Sequence, residues 1–191
     1  MSDIQASEQR KTMAFEIDIS NDQNFVKVDI QQLTHAIAHA LQVEQVASAV
    51  ISVSIVDNAA IHAINREHLQ HDYPTDVISF QLDFAIPGDG DDFEDDDDST
   101  VEHQSVEPRS ELRAQGAMIE GEIIASAQMA VDLAASGQWT AMNELLLYVV
   151  HGLLHICGYD DLAADEKRIM RGRERAVLHE LGLQPVYPDD D

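Results

Sequence analysis

Three things are scarce in this sequence of 191 residues: cysteine, basic residues and long apolar runs. The single cysteine, Cys157, allows neither an intramolecular disulfide nor a cysteine-rich zinc cluster, and it suits a reducing compartment. No segment reaches the roughly 18–20 consecutive apolar residues of a membrane span. The polar residues 1–12 lack the apolar centre of a signal peptide. We therefore expect a cytoplasmic protein that does not engage a membrane.

The shortage of basic residues dominates the charge. The chain has 11 Lys and Arg against 36 Asp and Glu, which gives a formal net charge of −25. Such a surface repels nucleic acid unless the negative charge is segregated or a metal ion reverses it locally. The hydrophobic content of 45% is ordinary for a globular protein, and the length predicts one domain.

Hydrophobic periodicity predicts the elements of that domain. Alternating or β-branched apolar patterns predict four strands, at about 15–20, 50–56, 76–82 and 121–126. Helical patterns occur at about 29–42, 58–70, 126–135, 140–157 and 163–181. The helix at 140–157 is apolar nearly all round, which predicts that it is buried. The charge-rich helix at 163–181 is expected to be solvated on its outer side.

Composition divides the chain into a mobile leader at 1–13, one domain at 14–183 and an acidic tail at 184–191. An acidic insertion at 84–117 interrupts the domain. Its centre, residues 88–98, has eight acidic residues and no basic one. This run repels itself and predicts disorder. A calcium loop through Asp89, Asp91 and Asp95 is disfavoured, because the closing bidentate glutamate is missing at the required offset.

One stretch has the spacing of a metal site. His151 and His155 are four residues apart, so on a helix both imidazoles lie on one face and can reach the same ion. Gly158 ends the helix, and a carboxylate from Asp160 or Asp161 can complete a three-ligand site with one open position, as catalytic zinc requires. A histidine pair at this spacing also arises by chance. The pattern is not the HExxH of a metalloprotease, because Gly152 stands where the glutamate base would be.

Three motifs together resemble a known family. Residues 151–160 read HGLLHICGYD, residues 74–80 read PTDVISF, and residues 121–126 read GEIIAS. Their sequence and order are similar to those of the YbeY family of bacterial rRNA maturation factors, from about Phe15 to Leu183 apart from the insertion. The resemblance implies an α+β fold, in which helices cover a small mixed four-stranded sheet and the metal-site helix is central. Three of the strands would be mainly parallel, and one edge strand would be antiparallel.

The resemblance also implies an activity and partners. Family members are similar to zinc-dependent, single-strand-specific endoribonucleases that act in 16S rRNA 3′-end maturation and ribosome quality control. The implied partners are rRNA of the small subunit, a small-subunit ribosomal protein and the GTPase Era. The implied cofactor is one Zn²⁺ per chain, and the expected catalytic group is a water activated by that metal, with no side chain assigned as the base.

Two positions depart from the family pattern. The third metal histidine is replaced by Asp161, which joins His151 and His155 as the expected ligand set and lowers the net charge of a zinc site from +2 to +1. Leu69 stands where the family often has an arginine, and Arg66, one helical turn earlier, is a possible substitute. Residues expected to line the substrate cleft are Arg66, Thr75, Asp76 and Ser79.

Three functional hypotheses remain open. The first is the nuclease, in which arginines supply the positive field (Arg66, Arg168, Arg171, Arg173 and Arg175). The second is a non-catalytic ribosome-assembly module with a structural metal, which the missing arginine and the negative charge favour. The third is a metal hydrolase of a small molecule, since a metal site alone does not specify the substrate.

Overall fold

The computed structural model describes residues 14–87, 112–136 and 138–187. The predicted leader at 1–13, most of the predicted insertion and the last residues of the tail lie outside the described residues. The described strands are β1 (Ala14–Asn21), β2 (Ser48–Val56), β3 (Val77–Ala85) and β4 (Met118–Ser126). The described helices are α1 (Ile30–Val43), α2 (Asn58–Ile64), α3 (Ala127–Ala134), α4 (Ala141–Ile156) and α5 (Ala164–Glu180).

The four strands form one mixed sheet in the order β1-β2-β4-β3. The strands β1, β2 and β4 run parallel, with Ile51 opposite Ile17 on one side and Gly121 on the other. The edge strand β3 is antiparallel to β4, and its register shifts between Gln81 and Asp83. This arrangement confirms the α+β fold and the expected mixed sheet. The β-branched residues at the centre of β2 suit a strand that is paired on both sides.

Side-chain caps begin the helices close to the predicted positions. Asp29 accepts a hydrogen bond from the Gln32 amide at 3.0 Å, and Asp57 accepts one from the Ala60 amide at 2.8 Å. Each cap satisfies a backbone donor that the first helical turn leaves unpaired.

The predicted helix at 58–70 differs from the structure in its second half. After α2 the chain continues as a π-helical turn, Asn65–Leu69, and then leaves the helix at Gln70, whose φ is 60°. The buried Asn65 side chain donates to the Tyr73 carbonyl at 2.8 Å. This contact fastens the wider turn to the segment that leads into β3.

The helix α4 is the central element, as predicted. It packs against β3, β4, α1, α3 and α5, and most of its residues are buried. Gly152 allows the close approach to the sheet, since a Cβ there would lie 3.1 Å from Val77 Cγ2 and 3.2 Å from Ile123 Cγ2. The Gln81 side chain donates to the Ile156 carbonyl at 2.9 Å. The C-terminal end of α4, which carries both motif histidines, is therefore fixed against β3.

The structure narrows the predicted insertion at both ends. Phe84 and Ala85 belong to β3, and Ala114 and Ala117 are fully buried in the core. The first two residues of the 84–117 segment therefore belong to the sheet, and residues near its end belong to the core. Nowhere in 14–87, 112–136 or 138–187 does a helix combine the length and hydrophobicity that spanning a membrane demands.

Candidate metal centre and adjoining cavity

The side chains of His151, His155 and Asp161 meet at the C-terminal end of α4. The two Nε2 atoms are 3.1 Å apart, and the Asp161 carboxylate oxygens lie 3.9 Å from His151 Nε2 and 3.8 Å from His155 Nε2. The three ligand atoms all fall within 4.8 Å of one another. The structure therefore brings the predicted ligands together as a group that could hold one ion.

The chain reversal after α4 determines which aspartate joins the histidines. Gly158 has a φ of +90°, a left-handed conformation that a residue with a Cβ adopts only under strain. The next turn uses Asp160 internally, because its Oδ1 accepts from the amides of Asp161 at 2.7 Å and Leu162 at 3.2 Å. Of the two aspartates that the sequence offered, Asp161 is therefore the one that faces the imidazoles.

Both histidines are oriented through their Nδ1 atoms. The Nδ1 of His155 lies 3.0 Å from the Tyr159 carbonyl, and the Nδ1 of His151 lies 2.6 Å from Glu174 Oε1. Since both acceptors need a proton on Nδ1, the neutral imidazoles present unprotonated Nε2 atoms to each other and to Asp161. This is the tautomer that a metal requires, with the outer partners that usually accompany histidine ligands.

The sequence did not identify Glu174 as a residue of the site, because the charges of α5 were assigned to a solvated face. Its side chain is only 3% exposed, and its second oxygen accepts a hydrogen bond from the Tyr187 hydroxyl. A signal was available, because Glu174 lies four residues after Met170 and three before Val177, on the buried face of α5. A carboxylate on an apolar stripe indicates a buried partner.

Glu174 also sets the protonation of His151. Burial by itself would lower the pKa of this imidazole, but the hydrogen bond that it donates to Glu174 and the negative charge of Glu174 outweigh burial and raise the pKa above 6.5. His151 in the metal-free protein therefore takes up a proton more readily than a free imidazole does.

The donor set fits zinc. Two imidazole nitrogens and one carboxylate oxygen are a known catalytic zinc combination, and the outer hydrogen bonds that orient such ligands are present. The side chains of His151, His155 and Asp161 are 25%, 30% and 38% exposed, so an ion and a substrate can reach them.

A cavity of about 370 Å³ begins at His151 and Asp161 and extends along α4 towards its N-terminal end. Its walls come from α3, α4, α5, the start of β3 and the segment after α5. Its lining residues are Asp76, Leu133, Ser136, Glu144, Leu147, Tyr148, His151, Asp161, Lys167, Met170, Arg171, Glu174, Val186 and Tyr187. The ligand group thus adjoins a partly open cavity whose wall is mainly apolar and carries several charges.

The structure gives each of the predicted cleft residues a location. Asp76 lines the cavity and accepts a hydrogen bond from the Thr75 hydroxyl at 2.9 Å. Ser79 lies on β3 beneath Gly152 of α4. Arg66 is exposed on the π-helical turn and is not among the cavity-lining residues. A role in substrate binding stays a prediction for all four.

The arginines of α5 do not share one role. Arg173 pairs with the fully buried Glu44 at 2.8 Å, so its charge is used inside the protein. The guanidinium groups of Arg171 and Arg175 lie over the Tyr187 ring, at 4.6 Å and 4.9 Å from its centroid. Arg171 and Lys167 contribute positive charge to the cavity wall, but four carboxylates line the same cavity, so the segregation of charge expected of a nucleic-acid site stays a prediction.

Comparison with known proteins places these residues in a family. A family model described as Endoribonuclease YbeY matches residues 18–182. A protein named Endoribonuclease YbeY from Rhodopirellula baltica is 37% identical over 84% of this chain and 69% of its own. Proteins of that name from Carboxydothermus hydrogenoformans and Geobacillus thermodenitrificans are 31% and 34% identical, over 87% and 90% of this chain and 98% and 99% of theirs. The chain that carries this two-histidine, one-aspartate centre belongs to the endoribonuclease YbeY family.

Proposed function

We propose that this protein is a metal-dependent endoribonuclease that hydrolyses phosphodiester bonds in single-stranded RNA. The observation that carries the proposal is the meeting of His151, His155 and Asp161 at the mouth of the cavity. Family membership supports the substrate class, since the relatives are named as endoribonucleases.

The proposed metal is zinc, one ion per chain. Bound between these ligands, it would supply Lewis acidity for a phosphoryl oxygen and lower the pKa of a water molecule. The chain contributes the rest: Glu174 and the Tyr159 carbonyl orient the two imidazoles, and the apolar part of the cavity wall limits the access of bulk water. Lys167 and Arg171 line the same cavity as the ligand group and would supply positive charge for a phosphate of the RNA.

The cavity supports a preference for single strands. A paired base is stacked within its helix and is closed off, whereas an unpaired base can turn out and enter a pocket. We extend the proposal to 16S rRNA 3′-end maturation and ribosome quality control in the cytoplasm. A small-subunit ribosomal protein and the GTPase Era are the proposed partners.

A purely structural metal is the main competing function. Structural zinc sites are usually closed by four protein ligands, whereas catalytic sites retain an open position. Here three partly exposed ligands adjoin a cavity, which favours catalysis. The assembly module predicts that His155→Ala unfolds the protein together with loss of the metal, whereas the nuclease predicts a folded and inactive variant.

The test compares the zinc-loaded protein on single-stranded RNA, on the same sequence as a duplex and on single-stranded DNA. We expect cleavage of the single-stranded RNA, its loss in His155→Ala, and its retention in the control His35→Ala on the exposed face of α1. Circular dichroism checks that both variants fold. Intact RNA after incubation with folded, stoichiometrically loaded protein would refute the proposal.

A further inference from the structure

The end of the cavity that lies away from the metal ligands contains a buried acidic group. Glu144 belongs to the first turn of α4 and is 8% exposed. Its Oε2 accepts a hydrogen bond from Nε1 of Trp139, the single tryptophan of the chain. A carboxylate can accept several hydrogen bonds, so Glu144 can receive further donors from a ligand in the cavity.

A buried hydroxyl accompanies this carboxylate. Tyr148 lies one turn further along α4 and is 4% exposed, and its Oη lies beside the Glu144 carboxylate without a well-formed hydrogen bond to any group in the described parts of the chain. Burial, then the charges of Glu144 and Asp76 and the closeness of the hydroxyl to the Glu144 carboxylate, raise the pKa of this phenol, so it keeps its proton and remains a donor. An unsatisfied buried hydroxyl costs free energy and indicates a position where a ligand can supply the partner.

The apolar part of the cavity wall suits a flat ring that buries its two faces. Leu133, Leu147 and Met170 line the cavity, and Tyr187 adds an aromatic ring. Its volume of about 370 Å³ lies in the range of small-ligand pockets. Glu144 precedes His151 by seven residues, or about 10 Å along the helix. A nucleotide whose phosphate lies at the metal ligands can therefore extend its base towards Glu144.

We propose that this end of the cavity is a guanine pocket for the nucleotide next to the cleaved phosphate. The proposal rests on the proposed nuclease function. Guanine presents adjacent N1–H and N2–H donors to the Glu144 carboxylate and its O6 acceptor to the Tyr148 hydroxyl. Adenine and cytosine place a donor beside a ring acceptor, and uracil places one N–H between two carbonyls. Only guanine among the four offers the carboxylate two neighbouring donors.

The first experiment measures binding, without any cleavage. The zinc-loaded protein is titrated with GMP, AMP, CMP and UMP, by calorimetry and by the fluorescence of Trp139, whose indole contacts Glu144. All four nucleotides share the phosphate, so their ratios isolate the base. We expect GMP to bind at least about tenfold more tightly than UMP, as is typical of hydrogen bonds to a charged group.

Three variants test which residues cause the preference for GMP over UMP. Glu144→Gln removes the charge and is expected to reduce the ratio of GMP to UMP affinity towards one. Tyr148→Phe removes only the hydroxyl and is expected to reduce the ratio severalfold in a fold with the same shape. The control Glu180→Gln removes an exposed charge from α5 and should leave the ratio unchanged. Equal affinities in the wild type, or a guanine preference that persists in both pocket variants, would overturn the proposal.

The second experiment separates the pocket from the nuclease. Single-stranded RNAs of uniform uridine, each with one substituted base, are cleaved and the cut sites are mapped. Cuts concentrated beside guanosine, and dispersed by Glu144→Gln, support the pocket. Efficient cleavage with no base preference overturns the pocket and leaves the proposed function intact. Guanine-selective binding without any RNA cleavage supports the pocket and refutes the nuclease.

Discussion

Replacing Glu174 with glutamine tests how strongly a buried carboxylate supports the metal ligands. Its Oε1 lies 2.6 Å from His151 Nδ1, and the side chain is 3% exposed, so little solvent screens the interaction. The amide of glutamine keeps an acceptor of similar size but loses the charge. Removal of such an outer partner typically weakens metal binding 10- to 100-fold, which corresponds to about 1.4–2.7 kcal/mol.

The pH dependence makes this prediction sharper. Because Glu174 raises the pKa of His151 above 6.5, protons compete with the metal from a higher pH in the wild type than in the variant. On acidification, zinc affinity therefore begins to fall at a higher pH in the wild type than in Glu174→Gln. The difference between wild type and Glu174→Gln should be largest above pH 7 and should shrink towards about pH 5.

The folding stability of the metal-free protein tests the interaction between His151 and Glu174 independently of zinc binding. A pKa that is raised in the folded state stabilises the fold below the unfolded value of 6.5, and this contribution is lost as the pH rises through the folded value. As the pH rises from 6.5 through the folded pKa of His151, the free energy of unfolding of the wild type should therefore fall relative to that of Glu174→Gln.

Competition for Zn²⁺ with a chromophoric chelator at several pH values measures the affinities, and denaturant melts measure the stability. The control is Glu180→Gln, an exposed carboxylate on the same helix, for which we expect no change in either. Equal zinc affinities at pH 8 for wild type and Glu174→Gln would refute the reasoning, as would an equal loss in the control.

Two further comparisons address the loop after α4 and the arginines of α5. Gly158→Ala forces a Cβ into a left-handed turn with a φ of +90° and should cost about 1 kcal/mol in a thermal melt. Gly172→Ala, in an open position within α5, should instead stabilise the fold by about 0.5–1 kcal/mol. Equal changes in stability for the two variants would contradict the assignment of Gly158 to a left-handed turn. Arg173→Ala removes the cation paired with the buried Glu44, which then keeps the hydrogen bond from the Tyr159 hydroxyl, and should destabilise the fold by about 3–5 kcal/mol. The exposed Arg168→Ala should stay within about 0.5 kcal/mol of wild type, and a stable Arg173→Ala variant would argue that the pair is dispensable.

Local patterns in the sequence were sufficient for most of the helices and strands, whereas the sheet arrangement was expected from the family resemblance. The alternation around β1 and the β-branched run of β2 predicted strands, and the caps Asp29 and Asp57 predicted where two helices begin. The spacing of His151 and His155 placed two ligands on one helical face. These features depend on residues within a turn or two of each other, where backbone geometry fixes which side chains are neighbours.

Other features arise from contacts between distant parts of the chain. The π-helical turn depends on Asn65 reaching the Tyr73 carbonyl, and the role of Arg173 depends on Glu44, 129 residues away. The choice of Asp161 over Asp160 followed from the resemblance and needed the folded loop to give it a physical reason, namely the use of Asp160 within its own turn.

The sequence by itself determined the elements, the acidic charge and the histidine pair, because each is a property of composition or of short spacing. The tertiary structure alone decided that Glu174 is buried against His151 and that Glu144 and Tyr148 meet at one cavity with the ligands. A charged residue on a helix looks the same in sequence whether it faces water or a partner. Only the packing of α5 on α4 removes the water, and this desolvation makes the carboxylate a partner of the histidine.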